Sequence, residues 1–247
     1  MTEKIYGVMI TGKDIHHEKL ARLSVKSFLD QTHSNKKLLI INDGEYSLSD
    51  LNCDEVEEIR VDNSDGKLKL GGLRNLAFDH MQEGDVWVQW DDDDWRHPNL
   101  IEHQYKYMSD NNVSMCFLFK QLRYYSEINH AKVFNRFFGL AQRKKRKIRV
   151  GKRGIWGTIM ARYDGNSELY KNISKGEDQT WGAERNVVDA PPHYYIRFIH
   201  GHNTWHYKHF AGNREDYFNK INTDVWKIPV DSKSYLEKVL LLYDFQN

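Results

Sequence analysis

The chain has few of the residues on which several protein classes depend. Its 247 residues include two cysteines, Cys53 and Cys116, and four prolines. The cysteines form neither a Cys-x-x-Cys motif nor a disulfide framework, so we expect a reduced, cytoplasmic protein. No apolar run reaches the roughly 18 residues that a membrane-spanning helix needs. The N-terminal sequence MTEKIYGVMITGKD has no secretory pattern.

Charge of one sign is not in excess either, and the formal net charge of +1 argues against a general polyanion binder. The charge is nevertheless unevenly distributed. Residues 1–100 carry 12 Lys and Arg against 20 Asp and Glu, whereas residues 101–247 carry 24 against 15. This asymmetry predicts that the two halves face different partners. With 40% apolar residues, the chain can bury a substantial core.

Short apolar runs alternate with helical patterns in the first hundred residues. We predict strands over 5–11, 37–44, 57–63 and 85–90, a helix over 17–31, and a glycine-rich loop that enters a helix over 70–82. This alternation predicts βαβ units and a mostly parallel sheet in a single α/β domain. Ligands bind at the carboxyl ends of parallel strands, where Asp43 and the run Asp91–Asp94 lie.

The second half is less regular. We predict strands over 113–125, 154–163 and 193–201, a helix after Pro98, and a helix that starts near Glu177. Apolar residues recur at helical spacing in the segment 207–247, which predicts a C-terminal helical tail. This tail packs either on the domain or against a second copy of the chain.

The sequence VWVQWDDDDWRHP contains four consecutive carboxylates. Tryptophans on both sides predict buried flanks, and buried like charges need a counter-ion. On a strand, Asp91 and Asp93 would point to one side, and Asp92 and Asp94 to the other. Because Mg²⁺ and Mn²⁺ prefer such oxygen ligands, the run predicts a metal site. The alternatives are a solvated acidic turn and a calcium loop.

Four motifs, in this order along the chain, resemble those of glycosyltransferase family 2: SVKSFLDQTHSNKKLLIINDG (24–44), GGLRNLAFDHMQEGDVWVQWDDDDW (71–95), GEDQTW (176–181) and HGHNTW (200–205). The resemblance covers roughly residues 5–205. It implies the GT-A fold, a Rossmann-like and mostly parallel sheet flanked by helices, and the use of nucleotide-activated sugars.

The resemblance implies roles on the donor side. Asp43 matches the acid that hydrogen-bonds the nucleotide base, often uracil, and Arg74 matches the basic residue near the diphosphate. Where the family has a Pro-x-Tyr-Asn segment after the first strand, this chain has ITGKD (10–14). Thr11 of this segment is therefore the residue that we expect to line the base pocket.

The resemblance also implies a metal site for Mn²⁺ or Mg²⁺. Asp93 matches the direct metal ligand, and Asp91 is expected near the ribose or a metal-bound water, with Asp92 in the donor site. His200 and His202 are further candidates, although a strand-end cluster held by hydrogen bonds is the alternative. The chain has no His-Glu-x-x-His or Cys/His zinc pattern, which argues against a zinc hydrolase.

On the acceptor side, Asp178 matches the catalytic base. A helix start would stabilise its anion, although adjacent acids at a helix start are also common as ordinary features. Core packing is the alternative for the aromatic residues. The residues that we expect to contact the acceptor are Glu177, Trp156, Trp181, Arg146 and Lys147.

The segment RKKRKIRVGKR (143–153) holds eight Lys or Arg in eleven residues. Such a run is commonly a solvated, self-repelling loop. It also fits an electrostatic contact with an anionic acceptor, such as an acidic glycan or a nucleic acid with a modified base.

Together these features predict an inverting glycosyltransferase that moves a sugar from a nucleotide-diphosphate sugar, with UDP as the expected nucleotide, to a hydroxyl acceptor. The expected domain spans residues 1–206, with a nucleotide-sugar half at 1–95 and an acceptor half at 96–206. One alternative is a nucleotidyltransferase of related fold, but ITGKDIHHEK is a poor match to the glycine-rich loop of such enzymes. A non-catalytic sugar-nucleotide or carbohydrate-binding protein is the other, and it leaves Asp178 without a role.

Overall fold

The structure, a computed structural model, describes residues 3–12, 14–135, 137–143, 146–180, 186–200, 203 and 228–243. None of the helices in these ranges is long and apolar enough to cross a membrane. In chain order, the strands and α-helices are β1 Ile5–Thr11, α1 His16–Leu29, β2 Lys36–Asn42, β3 Val56–Arg60, α2 Leu70–Leu76, β4 Val86–Asp91, β5 Trp95–Arg96, α3 Leu100–Asn111, β6 Met115–Leu118, β7 Lys120–Tyr125, β8 His130–Asn135, β9 Phe137–Arg143, β10 Arg146–Lys152, β11 Met160–Arg162, β12 Val187–Val188, β13 Tyr195–Ile199 and α4 Val230–Leu240.

Within the described ranges, seven strands form a central sheet in the spatial order β12-β6-β11-β4-β1-β2-β3. β1 pairs in parallel with β2 and β4, and β2 with β3, whereas β11 is antiparallel to β4 and β6. A second described sheet has the order β5-β13-β7-β8, and β9 and β10 form an antiparallel pair. The prediction of a single α/β domain with a mostly parallel central sheet is confirmed.

The central sheet is covered on both faces, because its inner strands are near-continuous apolar runs. On one face, Phe28 of α1 packs edge-on against Trp90 of β4, with ring centres 5.0 Å apart. On the other face, Phe78 packs against Trp87 of the same strand at 5.2 Å. Both tryptophans are 0% exposed. β4 is therefore fixed rigidly up to its carboxyl end, where the acidic run begins.

Helix α4 packs on the second sheet. Its Leu236 and Val239, followed by Tyr243, join the apolar cluster that contains Leu122 of β7 and Phe198 of β13. The ring centres of Tyr243 and Phe198 lie 4.2 Å apart. Of the two alternatives for the tail, the described part shows packing on the domain. Residues 204–227 lie outside the described ranges.

The prediction of one long strand over 113–125 is wrong. The segment forms β6 and β7, which belong to different sheets and are separated by Phe119. The amide of Phe119 donates to the carbonyl of Val188 at 2.9 Å, at the point where the chain passes from one sheet to the other. An apolar run that is buried in both sheets carries no sign of the change.

Two further elements differ from prediction. In the segment 154–163 only β11 is a strand, because Gly157 at φ +81° lies in a turn closed by the amide of Thr158, which donates to the carbonyl of Ile155 at 3.2 Å. The glycines of the 70–82 segment lie inside α2 rather than in a loop before it. A Cβ atom on Gly71 would overlap the carbonyl oxygen of Lys171, so this glycine permits close packing on α2.

Candidate active site

A cleft with about 120 Å³ of water-accessible volume opens at the carboxyl ends of β1 and β4. It lies where the central sheet meets β13, and it draws side chains from both halves of the chain. Its principal lining residues are His17, Arg74, Gln89, Asp91, Asp92, Asp93, Trp156, Glu177, Asp178, Arg197 and Asn203.

The four aspartates do not alternate as a strand would require. Strand β4 ends at Asp91 and the chain then turns, so Asp91, Asp92 and Asp93 all line the cleft. Asp94 is 1% exposed and points away from it. The prediction that the carboxylates at 91 and 93 share one side and those at 92 and 94 the other is therefore wrong.

The side chain of Asp91 accepts two hydrogen bonds at Oδ1. Gln89 Nε2 donates to its Oδ1 at 3.0 Å, and Arg74 Nη2 donates to the same oxygen at 2.9 Å. Nη1 of Arg74 donates to Glu177 Oε1, and the arginine is 5% exposed. Burial would lower the pKa of Arg74, but Asp91 and Glu177 outweigh it and raise the pKa above its usual value. Arg74 thus connects Asp91–Asp94, which we call the aspartate turn, to the segment that carries Asp178.

Asp92 is anchored to the first strand and helix. Thr11 Oγ1 donates to Asp92 Oδ2 at 2.7 Å, and His17 Nδ1 lies 3.2 Å from the same oxygen. Thr11 also hydrogen-bonds the hydroxyl of Tyr46 at 2.5 Å. Burial, together with the charge of Asp93, raises the pKa of Asp92, against the opposing effect of its hydrogen bonds. Thr11 therefore contacts the aspartate turn directly.

Asp93 faces the segment after β13. Asn203 Nδ2 donates to its Oδ2 at 2.8 Å, and His200 Nε2 lies 3.4 Å from that oxygen. Burial alone would raise the pKa of Asp93, but His200 and Arg197 lower it well below its usual value. His202 lies outside the described residues. Among those described, no three His, Cys, Asp or Glu side chains are grouped so as to hold a metal ion.

Asp94 fastens the turn to β13. Its Oδ2 accepts a hydrogen bond from the hydroxyl of Tyr195 at 2.6 Å, and its Oδ1 accepts one from the amide of Phe198 at 3.1 Å. Burial and the charge of Asp93 raise the pKa of Asp94 to about 8. Its contacts serve to position the turn rather than to bind a ligand.

Asp178 lies in a short 3₁₀ turn, Glu177–Thr180, where the sequence predicted the start of a helix. Its side chain is half-buried and lines the cleft. Burial and the neighbouring charge of Glu177 raise the pKa of Asp178 to about 6, against the opposing charge of Arg74. This carboxyl group can therefore exchange a proton near neutral pH.

Asp43 directly follows β2, and only one of its two carboxylate oxygens accepts a hydrogen bond from a described residue. Its Oδ2 accepts a hydrogen bond from Asn63 Nδ2 at 2.9 Å, whereas its Oδ1 is buried and has no partner among the described residues. Nearby, Gly12 at φ +123° and Gly44 approach so closely that a Cβ atom on either would overlap the other. A buried, unsatisfied carboxylate oxygen is costly unless a ligand completes it.

The predicted acceptor residues are placed only in part. Trp156 lines the cleft, with the Arg153 guanidinium 5.3 Å from the centre of one of its rings. Trp181 lies outside the described residues. Arg146 and Lys147 begin β10, whose backbone pairs with β9, and their side chains lie outside the described part. Strand β10 thus occupies seven of the eleven residues of the basic run 143–153.

Sequence reasoning missed several residues of this region. Gln89 and Arg197 line the cleft, and Tyr195 holds the turn from behind. His17 reaches the cleft from the start of α1. The positions of these residues depend on strand and helix packing. Gln89 and Asn203 lie in motifs that the sequence analysis singled out, but neither was assigned a role there.

The chain matches the sequence profile of "Glycosyl transferase family 2" over residues 15–190, which is most of its length. No curated protein matches it significantly. Among solved structures, that of S. aureus TarS 1–349 is 12% identical with a TM-score of 0.56, over 97% of this chain and 79% of that one. The structures of TarS 1–349 with UDP and with UDP-GlcNAc have TM-scores of 0.55 and 0.54 at 13% and 11% identity. They cover 96% and 98% of this chain, and 70% and 72% of those chains.

The profile match covers both the aspartate turn and Asp178. The structural matches extend the same fold over almost the whole chain. The nucleotidyltransferase and the non-catalytic binding protein are therefore not retained. The chain belongs to glycosyl transferase family 2 and is a glycosyltransferase with the GT-A fold.

Proposed function

We propose that the protein transfers a sugar from a UDP-sugar to a hydroxyl acceptor, with inversion at the anomeric carbon. One observation carries the proposal: Asp178, with a pKa raised to about 6 by burial and by Glu177, lines the same cleft as the aspartate turn. A base with this pKa is largely ionised at neutral pH and still accepts a proton readily. It can therefore deprotonate a hydroxyl group beside a bound donor.

A uracil nucleotide is the donor that Asp43 supports. Its buried Oδ1 has no hydrogen-bond donor among the described residues, and the ring N–H of uracil can supply one. S. aureus TarS 1–349, which shares the fold, has been solved with UDP and with UDP-GlcNAc. We assign the donor half to residues 1–95, including Thr11 and Asp92, and the acceptor half to 96–206.

The donor set suits Mn²⁺ or Mg²⁺ held by few protein ligands. A carboxylate oxygen of Asp93 and Nε2 of His200 face one another at 3.4 Å, and such ions take one or two carboxylates with substrate phosphates completing the shell. Asp91 and His202 are the other candidate ligands. When bound, the ion neutralises charge on the departing diphosphate.

The reaction is a single displacement. Asp178 takes the proton of the acceptor hydroxyl, whose oxygen forms a bond to the anomeric carbon. The bond from that carbon to the diphosphate oxygen breaks, and its electron pair leaves with the nucleotide diphosphate. Attack from the opposite face inverts the anomeric centre. Arg74 holds Asp91 and Glu177 in place during the step, because it hydrogen-bonds both.

We propose an anionic acceptor, an acidic glycan or a nucleic acid, that contacts Trp156, Glu177, Trp181 and the basic strand with Arg146 and Lys147. The support is the concentration of eight Lys or Arg in 143–153. Salt titration of binding to duplex DNA and to an acidic glycan tests it, with the basic residues of this run changed to Gln as the comparison. Equal binding by the two proteins would refute it.

The free cysteines Cys53 and Cys116 agree with the cytoplasmic location that we propose.

Asp178→Asn tests the assignment of the base. We expect turnover to fall by about 10²- to 10⁴-fold, because the general base is lost, while UDP affinity is retained. Asp164→Asn, which changes an exposed aspartate, is the matched control and should keep full turnover. Transfer by Asp178→Asn at the wild-type rate would show that another group is the base.

A further inference from the structure

The cleft presents an electrostatic problem to the donor that the proposed function requires. Five carboxylates line it, from Asp91, Asp92, Asp93, Glu177 and Asp178, against two arginines among the described lining residues. A diphosphate brings further negative charge into this acidic space. Its binding, and its departure as a leaving group, both need positive groups aimed at the phosphates.

Arg74 is poorly placed to meet this need. Its two terminal nitrogens donate to Asp91 and Glu177 on opposite sides, and its side chain is almost wholly buried. A phosphate could recruit this guanidinium only by displacing one of the two carboxylates. The displaced carboxylate would then be left as a buried charge without its partner, which is strongly unfavourable.

Arg197 occupies a different position. It lies on β13, where Ile196 and Phe198 point into the apolar cluster of the second sheet and are 0% exposed. Because side chains alternate along a strand, Tyr195 and Arg197 point the other way, towards the aspartate turn. The contact between Tyr195 and Asp94 verifies this direction.

The Arg197 side chain is half-buried and lines the cleft. It lies close enough to Asp93, Asp94 and Asp178 for its charge to act on all three carboxyl groups. Arg197 thus lines the same cleft as Asp93, the proposed metal ligand, and Asp178, the proposed base. This is the region in which the diphosphate of a donor must lie if its sugar is to face Asp178.

We infer that Arg197 contacts the diphosphate of the donor and supplies the positive side chain for the leaving group. The inference rests on the proposed function and names a residue for it that no motif marks. A guanidinium suits this position, because its planar fork can donate to two phosphate oxygens at once. Arg74 then remains a positioning residue for Asp91 and Glu177.

The test compares UDP with uridine, which lacks the diphosphate. Both affinities are measured by calorimetry in the presence of Mn²⁺ for wild type, Arg197→Gln and Arg197→Lys. We expect Arg197→Gln to lose roughly 10- to 100-fold in UDP affinity, the value of a charge-assisted contact, with uridine affinity unchanged. Arg123→Gln is the matched control, because Arg123 pairs with Arg197 on the neighbouring strand but does not line the cleft.

Each outcome decides the inference. Equal losses for UDP and uridine would show a structural role, and no loss for either would show that Arg197 does not touch the phosphates; both overturn it. If Arg197→Gln fails to fold, Arg197→Lys is judged in the same way, by its loss of UDP affinity relative to its loss of uridine affinity. Lysine keeps the charge but cannot donate to two phosphate oxygens from one planar group. If wild type binds neither ligand, the proposed UDP-sugar donor is wrong, and the inference is overturned with it.

Discussion

Glu177 and Asp178 are adjacent carboxylates that face one cleft and have different partners. Glu177 is 4% exposed and accepts a hydrogen bond from the buried Arg74. Asp178 is more exposed, and burial together with the charge of Glu177 raises its pKa to about 6. Glu177 thus pairs with Arg74, while Asp178 can exchange a proton. This division of roles follows from the contacts of the two residues, since their chemistry is the same.

The raised pKa of Asp178 predicts how activity depends on pH. A general base must be ionised, so kcat/KM should fall below about pH 6, by roughly tenfold per pH unit. The profile is measured between pH 4.5 and 8 at saturating metal. A rate that stayed constant down to about pH 4.5 would contradict the assignment, because the group responsible would then have an ordinary aspartate pKa.

Glu177→Gln provides the directional control for this profile. It removes the neighbouring negative charge and leaves Arg74 with one carboxylate fewer, and both changes favour the ionised form of Asp178. The fall of kcat/KM on acidification should therefore begin at a lower pH in this variant. A shift to higher pH would mean that Glu177 is not the charge that raises the pKa of Asp178.

At the scale of elements, α4 shows how the end of the chain supports the site. The helix covers the apolar face of β7 and β13, and β13 carries Tyr195, which holds Asp94 at the turn. Loss of the helix contacts would loosen the strand behind the cleft. The apolar face of α4 is therefore tied to the site through β13 as well as to stability.

Leu236→Ala tests this packing. Leu236 is 5% exposed within the cluster, so truncation should lower the free energy of unfolding by about 2–5 kcal/mol. Leu241→Ala at the end of the same helix is the control, because Leu241 is 88% exposed and such changes lie within about 0.5 kcal/mol. Urea denaturation measures both. Equal stabilities of the two variants would contradict the docking of α4.

β1, β2 and β4 were predictable because each is a largely apolar run buried on both faces of the central sheet. β6 and β7 were not, since no Gly, Pro, Asn or Asp in 113–125 marks the passage from one sheet to the other. The acids of the site could be located because they follow a strand end in the sequence. Tyr195 and Arg197 could not, because their positions depend on the pairing of β13 with strands far away in the chain.

At the scale of the whole molecule, the cleft is assembled where two sheets meet. Arg74 of α2, Thr11 of β1 and Tyr195 of β13 hold Asp91, Asp92 and Asp94 respectively, so the turn is fixed from three directions. The central sheet supplies Gln89 and Asp91 from β4, and the later half supplies Asp178. The four aspartates of the turn make up half of the acidic excess of residues 1–100, whereas the basic strand β10 lies among residues 101–247.

The central claim is that this turn binds a nucleotide sugar with a metal ion. The most direct measurement is the melting temperature of the protein with a series of UDP-sugars, each with and without Mn²⁺. A ligand at ~100 times its Kd stabilises the folded state by about 2.7 kcal/mol. The account predicts that at least one UDP-sugar raises the melting temperature when Mn²⁺ is present, and that Asp93→Asn abolishes the metal-dependent part. A folded wild-type protein that shows no shift with any UDP-sugar would contradict it.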